Sequence, residues 1–247
     1  MSEHVPDNPR RDFLRKTLTL IPVVTVASTG IGLGSATALA EPVRQPEQPE
    51  SKPAGTAYHP AFFTPEEFAF VQAAVSRLIP ADELGPGALE AGAAQYIDRQ
   101  MGTAYASGGL WYMQGPFKAD AAPELGYQLQ LTPQQIYRLG IAGVHQWCLA
   151  NGNKAFHARS PEQQDKVLAQ LESGELTLQD VPAKAFFSLL LQNTREGFFC
   201  DPVHGGNQGM VGWKLIGFPG ARADFMDWAE RNERYPFPPV SIRGERA

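Results

Sequence analysis

The chain has 247 residues, with 21 Lys and Arg against 26 Asp and Glu and a formal net charge of -5 at pH 7. An acidic balance of this kind argues against a nucleic-acid partner, and two cysteines cannot build a CxxC-type metal site. The length suits a single domain with a sizeable core once an N-terminal leader is set aside.

That leader comes first in the chain. Pro9-Arg10-Arg11-Asp12-Phe13-Leu14-Arg15 precedes an apolar run from Leu18 to Leu39, which ends in the small-residue site Ala38-Leu39-Ala40. A basic start, an apolar middle and a small-residue end describe a cleavable export signal. Adjacent Arg10 and Arg11 followed by Phe13 and Leu14 place it in the twin-arginine (Tat) type, which carries proteins already folded. A retained membrane anchor is the other reading, disfavoured by Pro22 and by Gly30, Gly32 and Gly34 within the run. Cleavage after Ala40 removes four basic and three acidic residues, leaving 17 Lys and Arg against 23 Asp and Glu, a net charge of -6. Residues 41–57, EPVRQPEQPESKPAGTA, have too few apolar side chains to offset the entropy of ordering and are expected to be a flexible linker.

Folded structure is expected from Tyr58. Three segments share a hydroxyl cap, proline at the first helical position and Glu or Gln three residues after the cap: Thr64-Pro65-Glu66-Glu67, Thr132-Pro133-Gln134-Gln135 and Ser160-Pro161-Glu162-Gln163. Each can satisfy two orphan backbone donors reciprocally while proline presets the helical φ. After the first, Phe68, Val71, Val75, Leu78 and Ile79 recur at helical spacing up to Pro80, and Leu89, Ala93, Tyr96, Ile97 and Met101 continue the rhythm. Ile136, Leu139, Val144, Trp147 and Cys148 mark a helix closed by Asn151-Gly152, and Val167, Leu168 and Leu171 one ending at Gly174. Phe186, Phe187, Leu189, Leu190 and Leu191 are apolar on more than one side, which predicts a central helix over about Pro182 to Thr194. Strand alternation is scarce, so the fold class is mainly α: one helical domain with long ordered loops rich in Gly, Pro and aromatics.

Two of those loops carry the candidate binding residues. Trp111, Tyr112 and Phe117 lie in one, and Asp201 to Gly220, dense in glycine, offers His204, Asn207, Met210, Trp213 and Phe218. Met and aromatic side chains of this kind anchor interfaces, and a self-packing Ω-type loop is the alternative for the second segment. The tail RYPFPPVSIRGERA from Arg234 is expected to run extended, with Tyr235 and Phe237 as further anchors. No GxGxxG, GxxxxGK[ST], GxSxG, CxxCH or HExxH pattern occurs, so neither a flavin site nor covalent haem is expected in this chain. Beyond His4 in the leader, His59, His145, His157 and His204 are scattered. An acid/base or metal role would have to combine Asp201, His204 and perhaps His157. Cys148 and Cys200 can pair with each other in an oxidising compartment, or one of them can bridge to a partner chain.

Taken together, Phe62-Phe63-Thr64, Leu78-Ile79-Pro80-Ala81-Asp82, Gly85-Pro86-Gly87-Ala88, Tyr96-Ile97-Asp98-Arg99-Gln100, Gln114-Gly115-Pro116-Phe117, Gly126-Tyr127-Gln128-Leu129 and the run Asp201 to Gly220 resemble the small subunit of gluconate 2-dehydrogenase, subunit 3. The resemblance covers about Phe62 to Ala221 and implies a non-catalytic partner of an FAD-dependent flavoprotein that oxidises gluconate, a related sugar acid, a sugar or an alcohol. It further implies a multihaem cytochrome c subunit carrying haem c, and export through the Tat translocase to the periplasm with the flavoprotein riding on this chain's signal. It assigns no catalytic residue to this subunit. The expected organisation is a signal at 1–40, a linker at 41–57, the subunit 3-like domain at 58–221 and a partly extended segment at 222–247. An independent periplasmic enzyme or metal protein built on the Asp201/His204 loop is the rival reading.

Overall fold

Helix starts are fixed by local chemistry. In the computed structural model, which describes residues 58–118, 121–228, 230–231 and 233–247, α1 (Pro65–Leu78) opens on a complete capping box between Thr64 and Glu67. The same device opens α3 (Pro133–Ala150) with Thr132 and Gln135, and α4 (Pro161–Ser173) with Ser160 and Gln163. Each hydroxyl accepts the amide of the third helical residue while that residue's side chain accepts the cap amide. All three predicted starts therefore stand as read. The signal residues Arg10, Arg11, Phe13, Leu14, Ala38 and Ala40 and the 41–57 linker lie outside the described residues.

The remaining helices are α2 (Ala93–Met101), α5 (Ala183–Phe199) and α6 (Val211–Ile216). Alpha5 buries Phe186, Phe187, Leu190, Asn193, Thr194, Gly197 and Phe198 on several sides and packs against α1, α2, α3, α4 and α6. It is the predicted central helix, and its C-terminal end lies five residues beyond the predicted Thr194. The extension is held by side-chain bonding: the Tyr137 hydroxyl donates to Asn193 Oδ1 (3.1 Å), and Asn193 Nδ2 donates to Glu196 Oε2 (2.9 Å) and the Tyr105 hydroxyl (3.2 Å). Between α3 and α5, a Cβ on Gly140 would overlap the Phe186 ring, so the two axes approach where the side chain is missing. Phe63, Tyr137, Phe186, Phe70 and Phe156 touch in succession through the core, and burying each such ring contributes about 1.5–3 kcal/mol.

Ahead of α1, the chain is tied down by one carboxylate. Asp98 on α2 is buried and accepts from the Tyr58 hydroxyl and the Ala61 amide on Oδ2 (both 2.7 Å) and from the Phe62 and Phe63 amides on Oδ1 (3.1 and 3.0 Å). At the other end, the tail returns to the body: Val240 N donates to the Pro219 carbonyl (3.1 Å), Ala221 N to the Val240 carbonyl (2.8 Å), and Ser241 is buried. Among the described residues there is no β-strand beyond isolated bridges, and no helix long and apolar enough to cross a membrane. The fold is mainly α, as the sequence predicts.

Candidate partner-binding surface

The glycine-rich run Asp201 to Gly220 folds inward. Asp201 Oδ1 accepts the Val203 amide (3.0 Å), closing a 3₁₀ turn over Pro202–His204, and Oδ2 accepts the Ile242 amide of the tail (2.7 Å). Asn207, fully buried at φ 45°, donates Nδ2 to the Cys200 carbonyl (2.9 Å) and accepts the Gly212 amide on Oδ1 (2.9 Å). Trp213 is buried and its indole N–H donates to the Phe199 carbonyl (2.6 Å). A Cβ at Gly206 would overlap the Gly197 carbonyl, and one at Gly212 the Phe198 carbonyl. These glycines let the run lie against the end of α5; the short α6 is embedded in it.

This changes the reading of three candidate interface residues. Asn207, Met210 and Trp213 are interior side chains, the first and last bonded to the end of α5, and a buried group cannot anchor an outside surface without the fold opening. Composition could not separate the two cases, because Met and Trp beside glycine suit a self-packed run as well as a docking loop. Phe218 and His204 do face solvent, Phe218 with its ring edge-on to Trp213 (centroids 5.1 Å apart).

In the other loop, Trp111 is half-buried, packed on Tyr105 (5.7 Å) and Tyr127 (4.3 Å), while Phe117 is half-buried and Tyr112 is 79% exposed. Leu110 and Leu125, at 74% and 70% exposed, share this surface segment, so the 103–131 region presents large apolar side chains on a base of packed aromatics.

Cys148 and Cys200 do not pair in the structure; both are free thiols. Cys148 is buried on α3, and Cys200 caps the end of α5. Burial pushes the Cys200 thiol up to about 11, so it is protonated at neutral pH.

The rival acid/base constellation does not assemble either. Both Asp201 oxygens are taken by backbone amides, and His157 lies elsewhere, in a cleft of about 520 Å³ that it shares with His145, Glu66 and Glu67 over a floor of Phe70, Ile141 and Phe156. His204 does not line that cleft. Glu67 is already engaged by the Thr64 amide and by Arg138. Among the described residues no group of three or more His, Cys, Asp or Glu is placed to hold a metal ion. The meeting of His145 and His157, twelve positions apart on separate elements, has no local sequence signal.

A second concavity, about 450 Å³, lies between α6 and the tail. Trp213, Lys214 and Phe218 line one side, and Arg234, Tyr235 and Phe237 with its flanking prolines the other. Tyr235, expected as an exposed anchor, is buried, whereas Phe237 is exposed as expected. Lys214 and Arg234 were not singled out in the sequence, where isolated cations carry no pattern.

The sequence model of the gluconate 2-dehydrogenase subunit 3 family matches residues 65–220, more than half of the chain. The chain belongs to that family. The subunit 3 match runs from the first residue of α1 to the last of the glycine-rich run, so what it spans is the five-helix body and the segment that locks onto α5. One wall of the groove falls within the subunit 3 match and the tail wall falls beyond it. No curated protein and no solved structure matches the chain.

Proposed function

We propose that this chain is the non-catalytic small subunit of an acceptor-dependent dehydrogenase complex, exported as a folded pair with an FAD-dependent flavoprotein that oxidises gluconate or a related sugar acid, sugar or alcohol. The observation that carries the reading is the family match across residues 65–220. The Arg10-Arg11 leader supports it, since a chain with no flavin motif of its own has a reason for folded export if its partner binds the cofactor first. FAD then resides in the flavoprotein, haem c in a multihaem cytochrome subunit that receives the electrons, and the complex works in the periplasm at the inner membrane. This chain's contribution is the signal and a rigid surface that stabilises the flavoprotein.

The test is affinity isolation of the chain from the envelope of its own host, followed by an absorption spectrum and a dye-reduction assay with gluconate and simple sugars. A larger co-purifying chain with flavin absorbance and substrate-dependent dye reduction is expected. Recovery of this chain alone and colourless overturns the reading. Replacing Arg10 and Arg11 with Lys is expected to leave both chains in the cytoplasm.

A further inference from the structure

Building on the small-subunit reading, we infer that the groove between α6 and the tail receives an extended, anionic segment of the flavoprotein subunit. Its lining is aromatic and proline-rich with two cations, Lys214 and Arg234, and no carboxylate, although the chain as a whole is acidic. Neither cation has a hydrogen bond or ion pair among the described residues, in contrast to Arg77, Arg138 and Arg222, which are paired with Asp165, Glu67 and the Pro238 carbonyl. Two cations in a groove lined by apolar rings fit Asp or Glu beside apolar or aromatic side chains.

The lining selects the shape of the occupant: three prolines and aromatic rings wall the groove along the tail. An extended strand a few residues long fits, and proline-walled aromatic grooves are built to take one.

The groove is formed before anything enters it. Arg222 donates Nε and Nη2 to the Pro238 carbonyl (3.2 and 3.0 Å) while its guanidinium sits 5.9 and 5.5 Å from the Tyr235 and Phe237 rings. The Tyr235 hydroxyl donates to Asp224 (2.6 Å), and the opposite wall is held by the Trp213 bond to Phe199. Walls fixed in this way lose little entropy on binding. Phe218 and Phe237, 45% and 53% exposed, stand at its sides as apolar contacts. One wall lies within the family match and the other outside it. Anionic lipid is the weaker fit: lipid-binding clusters carry about 4–8 cations, against two here.

The experiment uses the full chain in its own host. A photo-reactive benzoylphenylalanine at position 237 is expected to give, on irradiation, a covalent adduct with the flavin-bearing chain. The same group at exposed Leu149, away from the groove, serves as control. Separately, Lys214→Glu with Arg234→Glu is expected to lower flavin recovered per mole of chain by at least about fivefold, with thermal unfolding of the isolated chain unchanged. Lys214→Arg with Arg234→Lys is expected to retain it. Flavin co-purification without an adduct at 237, an adduct with phospholipid alone, or undiminished flavin in the charge-reversed chain overturns the groove assignment while leaving the small-subunit reading intact. Failure of the wild-type chain to recover any flavoprotein overturns both.

Discussion

Individual side chains here are committed to holding backbone in place. Asp98 is the clearest case: replacing it with Asn puts an amide N–H₂ against donors it cannot accept, and each unsatisfied buried donor costs about 1–3 kcal/mol. Asp98→Asn is expected to lower stability by at least about 2 kcal/mol, read as a fall in the urea midpoint at constant slope. Trp213 makes a parallel prediction. Loss of its buried ring and of the bond to the Phe199 carbonyl should cost about 3–5 kcal/mol. Equilibrium unfolding of Trp213→Ala checks it; a variant as stable as the parent would restore Trp213 as a surface anchor. The sequence shows a tryptophan among glycines but not which way it points. A better clue lay in the spacing, since glycines set beside Asn207 and Asp201 suit a run that needs room for its own backbone.

At the level of elements, local signals were legible and non-local ones were not. The three capping boxes read directly because both partners lie within four residues, and the two reciprocal bonds are the same in any fold. Replacing Thr132 with Ala is expected to cost about 1 kcal/mol, and Ser160→Ala a similar amount that adds to it because the two caps are separate; paired denaturation curves measure both. The C-terminal end of α5 was missed because Gln192-Asn193-Thr194-Arg195-Glu196-Gly197 is a polar stretch with a poor helix former at its end. Tyr137 and Tyr105, from 56 and 88 positions away, bond to Asn193 and help hold that turn. Alpha6 was hidden for a related reason: Gly212 weakens the helical signal, yet the close pass against Phe198 requires it. Cys200 sits at that junction, half-buried, with its thiol pushed up to about 11. It should resist alkylation in the native isolated chain at neutral pH, and both cysteines should react after denaturation without reductant.

For the whole molecule, the buried phenols and thiol set the alkaline limit. Burial, reinforced by the bond to Asp98, raises Tyr58 to about 12; burial likewise raises Tyr127 to about 12, and pushes Tyr96 and Tyr137 upward. Free phenols ionise near 10 and free thiols near 8.5. Above those values the unfolded chain has released protons that the folded chain still holds, so stability falls as pH rises. A stability plateau is expected through neutral pH, with decline beginning near pH 9 as the Cys200 difference opens and steepening from about 10 through 12. Urea midpoints measured across that range check the sign; a midpoint that climbs with pH would contradict it. The helical class was readable from periodicity, which reports burial of a face, and the central helix from apolar residues on more than one side. The groove was not, because its walls come from α6 and a tail some twenty residues further on, and only folding brings them together.

The bonds to Asp98 have a mechanical meaning. Any pull applied to the chain ahead of Tyr58 would meet, within six residues, a phenol and three amides bound to one carboxylate. Four attachments gathered on one side chain share the load, and Asp98 is rooted in α2, which packs on the central helix. A pull on this end would thereby be passed to the middle of the molecule, so the body would move as a single piece and not unravel from its leading edge.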